Sequence, residues 1–478
     1  MFNPTHLAAV SVETSNTFIL TAVLLTLTVV YLASKLGGAV CSRLGLPEVL
    51  GELLGGVLVG ISALHVVIFP EQGVTAADSS IIALLELTSD LTDQGAGVVF
   101  QTQAAIIDLL SEIGVVVLLL EVGLACNLDE LIKIGPKAAL VAIAGVATPF
   151  SIGALGLIYL FGVAPIPAVF VGAALTATSI GITAKVLSQL GKIATTEGQI
   201  IIGAAVLDDI LGIILLAVVA SLAKTGEVDV VNIGYLVVVA SLFLGGAILL
   251  GRQYSNWIVR VFGENQGQLL VSALIFALLM SYLASAIGLE ALLGAFAAGL
   301  ILGETTKHKE LQQQVMPLAY ALVPIFFVTV GARTNIGVLN PLVPENQQGL
   351  VIALFLAVAA VISQLAAGYV LPAKDNLNRL AIGIGMIPRG EVALVFAGMG
   401  LSSGVLSESL NVSIVVMVIM TTFIAPPLVK WAMSDQRFPP DQGEENNDHG
   451  DPVDHAEETA NNSKPLEDQG LENQGAGV

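Results

Sequence analysis

The stretch that decides the reading is "IIGAAVLDDILGIILLAVVA", residues 201–220. It is an apolar run of about the 20 residues that a helix needs to cross a bilayer. Yet it holds two adjacent aspartates, Asp208 and Asp209, the only charged residues between Glu197 and Lys224. Asp209 is 12 residues from Glu197 and 15 from Lys224, so at ~1.5 Å per residue both ends are roughly 18–22 Å away. A charge at that depth costs about 2.5–3.5 kcal/mol on insertion scales. Such a residue marks an ion or proton site rather than an interfacial contact. Adjacent helical residues point ~100° apart, so one carboxylate is expected to face an ion cavity and the other a packed partner.

The rest of the chain has the same character. Its 478 residues are 55% hydrophobic and 12% charged, against about 25% charged in soluble domains. Repeated apolar runs of helical length predict an all-α polytopic membrane protein and exclude a porin-type barrel, whose strands are short and alternating. Thirteen spans are expected, at 16–36, 47–69, 103–125, 137–162, 165–190, 197–223, 231–250, 267–287, 288–303, 316–337, 347–372, 378–402 and 407–432. With the N-terminus outside, 14 of the 18 Lys and Arg fall on the inner side, in accord with the positive-inside rule. Lys35, Arg43, Lys185, Lys192 and Lys430 are among them. The two cysteines, Cys41 and Cys126, give neither a disulfide framework nor metal-ligand spacing.

"GLPEVLGELLGGVLVG" (45–60) aligns without gaps to "GLEALLGAFAAGLILG" (288–303), with six of 16 positions identical. The copies belong to the second and ninth spans, which cross in opposite directions. This is the trace of inverted six-helix repeats, about 16–223 and 267–432, joined by a linker helix at 231–250. The loop at 70–101 is acidic, without a basic residue, and "SSIIALLELTSDL" within it reads as a short surface helix. From Ser434 onward there are 12 acidic residues against Arg437 and Lys464. Residues 433–478 therefore read as a solvated, disordered tail following a transmembrane domain at 1–432.

Two further spans carry break signals. "TATSIGIT" places Thr176, Thr178, Ser179 and Thr183 inside an apolar run. Hydroxyls can return hydrogen bonds to their own helix, or the helix unwinds there and offers carbonyls and half-helix ends to a cation. In "GIGMIPRGEVALVFAGMG" (383–400), Pro388 cannot continue a regular helix. Arg389 and Glu391 beside it are expected to pair with each other or with nearby groups, and structural and transport readings weigh equally for either residue. Glu121 lies in another apolar span, where ion-site and interfacial readings weigh equally.

These elements, "LPEVLGELLGGVLVG", "TATSIGITAKVLSQLG", "AAVLDDILGIILL" and "MIPRGEVALVFAGMG", together resemble the monovalent cation/proton antiporters, and among them the NapA-like bacterial and cyanobacterial sodium/proton antiporters. The resemblance runs over residues 16–432. It implies a homodimer with a dimerisation domain and a mobile core in which two unwound helices, here 165–190 and 378–402, cross. It implies that Asp209 binds cation and proton by turns, with Asp208 as its variable neighbour. Glu121 matches a coordinating position of some sodium-selective relatives, and Thr178, with Thr176 nearby, borders the site. Electrogenic relatives carry a lysine in the span before the second broken helix. Here "VIALFLAVAAVISQLAAGYVLP" has Gln364 at that place and no basic residue, so Asp208 lacks that partner.

The resemblance implies a transporter rather than an enzyme: Na+, with Li+ or K+ as variants, exchanged for H+ by alternating access, with no cofactor and no nucleic-acid partner. A K+/H+ antiporter and an uncoupled cation channel are the alternatives. An intramembrane aspartyl protease would need its aspartates on separate facing helices, which an adjacent pair does not supply. The resemblance leaves plasma and thylakoid membranes open.

Overall fold

The computed structural model describes residues 4–434 apart from 71–72, 90, 226–229, 263–265, 343 and 376; its side chains are described from residue 16, with further gaps at 220, 223–230, 248, 250–268, 344–345, 391 and 402. The acidic tail thus lies outside the described residues. Every long regular element among them is an α-helix: α1 Pro4–Arg43, α2 Glu48–Val59, α3 Ser80–Thr88, α4 Asp93–Ala125, α5 Leu128–Phe161, α6 Pro165–Ala174, α7 Ile180–Gln189, α8 Thr196–Thr225, α9 Val230–Phe262, α10 Gln266–Ala286, α11 Ala291–Gly303, α12 His308–Ala332, α13 Pro344–Tyr369, α14 Arg379–Gly385, α15 Glu391–Ser402 and α16 Glu408–Met433. Seven of them are long and apolar enough to cross a membrane on their own. The chain is an integral, multi-pass membrane protein. Its outer helix faces keep residues such as Leu20, Leu36, Leu242 and Tyr282 exposed, as lipid contact requires.

Caps set the helix starts. Thr92, Asn127, Asn378 and Ser407 each accept a backbone N–H from the first turn of the next helix. The expected short helix in the acidic loop is α3, and it packs Ile81, Ile82 and Leu85 inward. The expected span at 47–69 is not one helix. α2 ends at Val59, because Gly60 presses on Ala332 so closely that a Cβ would lie 2.3 Å from its Cα. The chain turns there instead, and Val66 and Val67 both donate back to the Val59 carbonyl. α4 begins at Asp93 rather than 103.

The two copies of the repeated element behave alike. Each is a short helix, 12 residues in α2 and 13 in α11. Gly51 lies against the Gly37 carbonyl of the preceding helix, and Gly294 against the Met280 carbonyl of its own preceding helix, where a Cβ would come within 2.1 and 2.2 Å. Further along, Gly56 meets Val328 of α12 and Gly299 meets Leu120 of α4.

Packing divides the helices into two sets. In the first, α4 packs on α11 and α12, α2 on α1 and α12, and α10 on α11. In the second, α5 packs on α6, α8 and α13, and α16 on α13, α14 and α15. The sets meet chiefly where α7 touches α2 and α4, α16 touches α2, and α8 touches α9.

Candidate ion-binding site

Two helices of the second set are interrupted for five residues each, 175–179 between α6 and α7 and 386–390 between α14 and α15. The first break falls on the hydroxyl-rich run. Thr176 Oγ1 donates to the Ala173 carbonyl at 2.8 Å, satisfying a carbonyl at the end of α6. The second break falls on Pro388, which has no N–H to give. The two breaks touch. Ser179 N donates to the Pro388 carbonyl at 2.8 Å, and Thr183 Oγ1 to the Gly385 carbonyl at 2.7 Å. Gly390 fits only because it lacks a side chain, since a Cβ would lie 2.8 Å from Cβ and Oγ of Ser179.

Asp208 points into this crossing. Its Oδ2 accepts from Thr178 N at 3.0 Å, at the N-terminal approach to α7, where the helix dipole favours an anion. Arg389 is fully buried. Its Nη1 donates to the Thr176 carbonyl and, at 3.1 Å, to Thr178 Oγ1, and its positive charge attracts the Asp208 carboxylate. Thr422 Oγ1 of α16 holds the Arg389 carbonyl at 2.5 Å. Several polar atoms here have no hydrogen-bond partner among the described residues: Asp208 Oδ1, Ser179 Oγ, and Nε and Nη2 of Arg389. Buried polar atoms are nearly always satisfied, so this cluster of exceptions fits a place that handles a small ion. Asp209 is also buried, about 100° further round α8.

The expected site residues are therefore only partly gathered. Thr176, Thr178, Asp208 and Arg389 are joined by the contacts above. Gln364 is buried on α13 and donates through Nε2 to the Gly145 carbonyl of α5 at 3.0 Å. The cation beside Asp208 comes instead from the second break, as Arg389. Glu121 lies elsewhere, accepting from Ser188 Oγ at 3.4 Å and lining a cavity of about 860 Å³ between the helix sets. The side chain of Glu391 lies outside the described residues.

Sequence reasoning does not single out two residues that the structure brings forward. Glu52 and Lys185 are both buried and both line the Glu121 cavity. Glu52 has a signal of its own, a carboxylate inside the repeated apolar element where the second copy has Ala295.

A family model described as "Sodium/hydrogen exchanger, transmembrane" matches residues 16–434. The chain belongs to this family. This family member is 55% identical over 427 residues to the high-affinity Na(+)/H(+) antiporter NhaS3 of Synechocystis sp., a match covering 88% of this chain and 93% of that one. It is 33% identical to the Na(+)/H(+)-K(+) antiporter GerN of Bacillus cereus, over 84% of this chain and 94% of the relative. The solved structure of the sodium proton antiporter MjNhaP1 from Methanocaldococcus jannaschii at pH 8 is similar with a TM-score of 0.55 at 15% identity, covering 88% of this chain and 99% of that chain. That likeness is one of fold. The match spans the residues of the two breaks, the aspartate pair and both copies of the repeated element.

Proposed function

We propose that this chain is a secondary active antiporter that exchanges Na+ for H+ across a membrane by alternating access, for pH and sodium homeostasis. The observation that carries the reading is the crossing of two equal breaks around Asp208, with Asp209 beside it in mid-helix. Asp208 is occupied by Thr178 N and by the charge of Arg389, so it serves as the fixed anchor. Asp209 is the carrier, neutralised by a proton or by Na+ in turn. A dehydrated Na+ takes oxygen ligands, and the unwound carbonyls and hydroxyls near Thr176 and Thr178 are of that kind. An emptied, charged carboxylate does not cross the low-dielectric barrier, because an unpaired buried charge is too costly. Loading with either ion removes that cost, which makes exchange obligatory. One Na+ and one proton carry the same charge, so a one-for-one exchange moves no net charge.

Thirteen spans arranged as inverted repeats accord with the equivalent glycine contacts of α2 and α11 and with the equal breaks. α9 then serves as the linker between halves. The helix set containing α1, α2, α4 and α10–α12 serves as the dimerisation scaffold of a homodimer, and the set with the breaks as the mobile core. The N-terminus lies outside and the tail in the cytoplasm, in a plasma or thylakoid membrane. GerN, named for Na+, H+ and K+, supports K+ as a further cargo. Glu121 would then stand outside the crossing, on the path to it.

The test is Asp209→Asn in proteoliposomes. Exchange is expected to vanish while membrane insertion and melting temperature persist. Normal exchange by this variant would remove the assignment, and Na+ flux without proton counterflow in the unsubstituted protein would point to a channel.

A further inference from the structure

The cavity of about 860 Å³ lies where the two helix sets meet. Its lining includes α2 and α4 of one set, bearing Glu52 and Glu121, with α1 and α12 beside them, and α7 of the other, bearing Lys185, with Lys430 of α16. All three side chains are at least nine-tenths removed from solvent. Each carboxylate has one long neutral hydrogen bond, Ser34 Oγ to Glu52 Oε1 and Ser188 Oγ to Glu121 Oε1, both 3.4 Å. Lys185 attracts both carboxylates, and its Nζ also stands 5.7 Å from the centroid of the Tyr320 ring on α12. Glu52 Oε2 is buried with no hydrogen-bond partner among the described residues.

The charge count is uneven. Two buried carboxylates face one buried ammonium, and an uncompensated buried charge costs several kcal/mol. The rim charges do not restore the balance. Lys35, Arg43 and Glu48 are exposed to solvent, where their fields are screened, and Lys430 is engaged with the Gly45 carbonyl at 2.7 Å. We propose that Glu52, Glu121 and Lys185 form a second binding position for a monovalent cation, a proton or Na+, with Glu52 Oε2 as its open ligand. This rests on the exchange reading above, and it makes the cavity a loading position in advance of the crossing. Lys185 tunes it by neutralising one of the two carboxylates.

The sign of the response separates a binding position from a structural ion pair. In proteoliposomes of the full chain, initial exchange rates are read over a grid of Na+ concentration and pH. This gives an apparent KM for Na+ and a half-maximal pH. Glu52→Gln is expected to weaken the apparent affinity for one of these cations about fivefold or more, and Lys185→Gln to strengthen the affinity for the same cation, as expected for charges that act on one cation in partly dry surroundings. Which constant moves tells Na+ from a proton. Two shifts of the same sign, or none, overturn the proposal. If Glu52→Gln does not reach the membrane folded, Lys185→Gln decides alone, and an unchanged or weakened affinity overturns it. Absence of exchange in the unsubstituted protein would instead contradict the antiporter reading.

Discussion

At the scale of single residues, the centre of the molecule is Asp208 and Arg389, each hydrogen-bonded to Thr178 and drawn to the other by opposite charge. Each is buried, and each leaves polar atoms without a hydrogen-bond partner among the described residues. Removing the arginine leaves the buried Thr176 carbonyl and Thr178 hydroxyl without their donor, at a cost of about 1–3 kcal/mol. Arg389→Met should therefore lower the melting temperature in detergent by several degrees; a melt within a degree of the unsubstituted protein would show that these contacts contribute little. The aspartates are legible in the sequence because two charges interrupt a long apolar run. Arg389 is visible there as a charge, but its partner is not, since 181 positions separate it from Asp208. Glu52 escapes notice because a lone carboxylate near a span end reads as interfacial until packing on Ser34 buries it.

At the scale of elements, the two breaks are legible from residue chemistry, hydroxyls in one and proline in the other. Their mutual contact is not, because it depends on Gly390 meeting Ser179. Gly390→Ala is expected to cost about 1–3 kcal/mol by overpacking, read as a lower melting temperature, and Ser179→Gly in the same chain should recover much of the loss. Equal melts for Gly390→Ala and the unsubstituted protein would mean the breaks are not in close contact. The helix in the acidic loop is also legible, but the turn before it is not. There Asp78 Oδ2 accepts from Thr75 N at 2.7 Å and from Thr75 Oγ1 at 2.9 Å. First the backbone N–H and then the hydroxyl hold the Asp78 carboxyl below the usual carboxylate range. A lowered pKa stabilises the turn at neutral pH, and that contribution is lost only as pH falls through the lowered value. The protection factor of the Thr75 amide, its exchange relative to the unfolded rate at the same pH, should thus stay high through mildly acidic pH and fall below the ordinary carboxylate range. In Asp78→Asn the protection factor should lose this dependence; one that still varies with pH in that variant would assign the effect to another group.

At the scale of the whole molecule, hydropathy and charge asymmetry make the membrane class legible. The gapless repeat points to two related halves. The division of helices into two packing sets is not readable, because it is fixed by which faces meet rather than by any one segment. α2 and α11 are the hardest spans to read. Their helices are too short to cross alone, and their glycines serve contacts with carbonyls of other helices. In the proposed alternating access, the set that holds the crossing moves past the other. Under the proposed one-for-one exchange at Asp209, one cation crosses in either direction, no net charge moves, and the exchange is independent of voltage. The most direct measurement is the luminal pH change driven by a Na+ gradient in proteoliposomes, with the membrane potential clamped at zero and then imposed with either sign. The expected result is a Na+-driven pH change of the same initial rate under all three conditions, absent in Asp209→Asn. A Na+ gradient that moves no protons, or a pH change that persists in Asp209→Asn, would contradict exchange at this site.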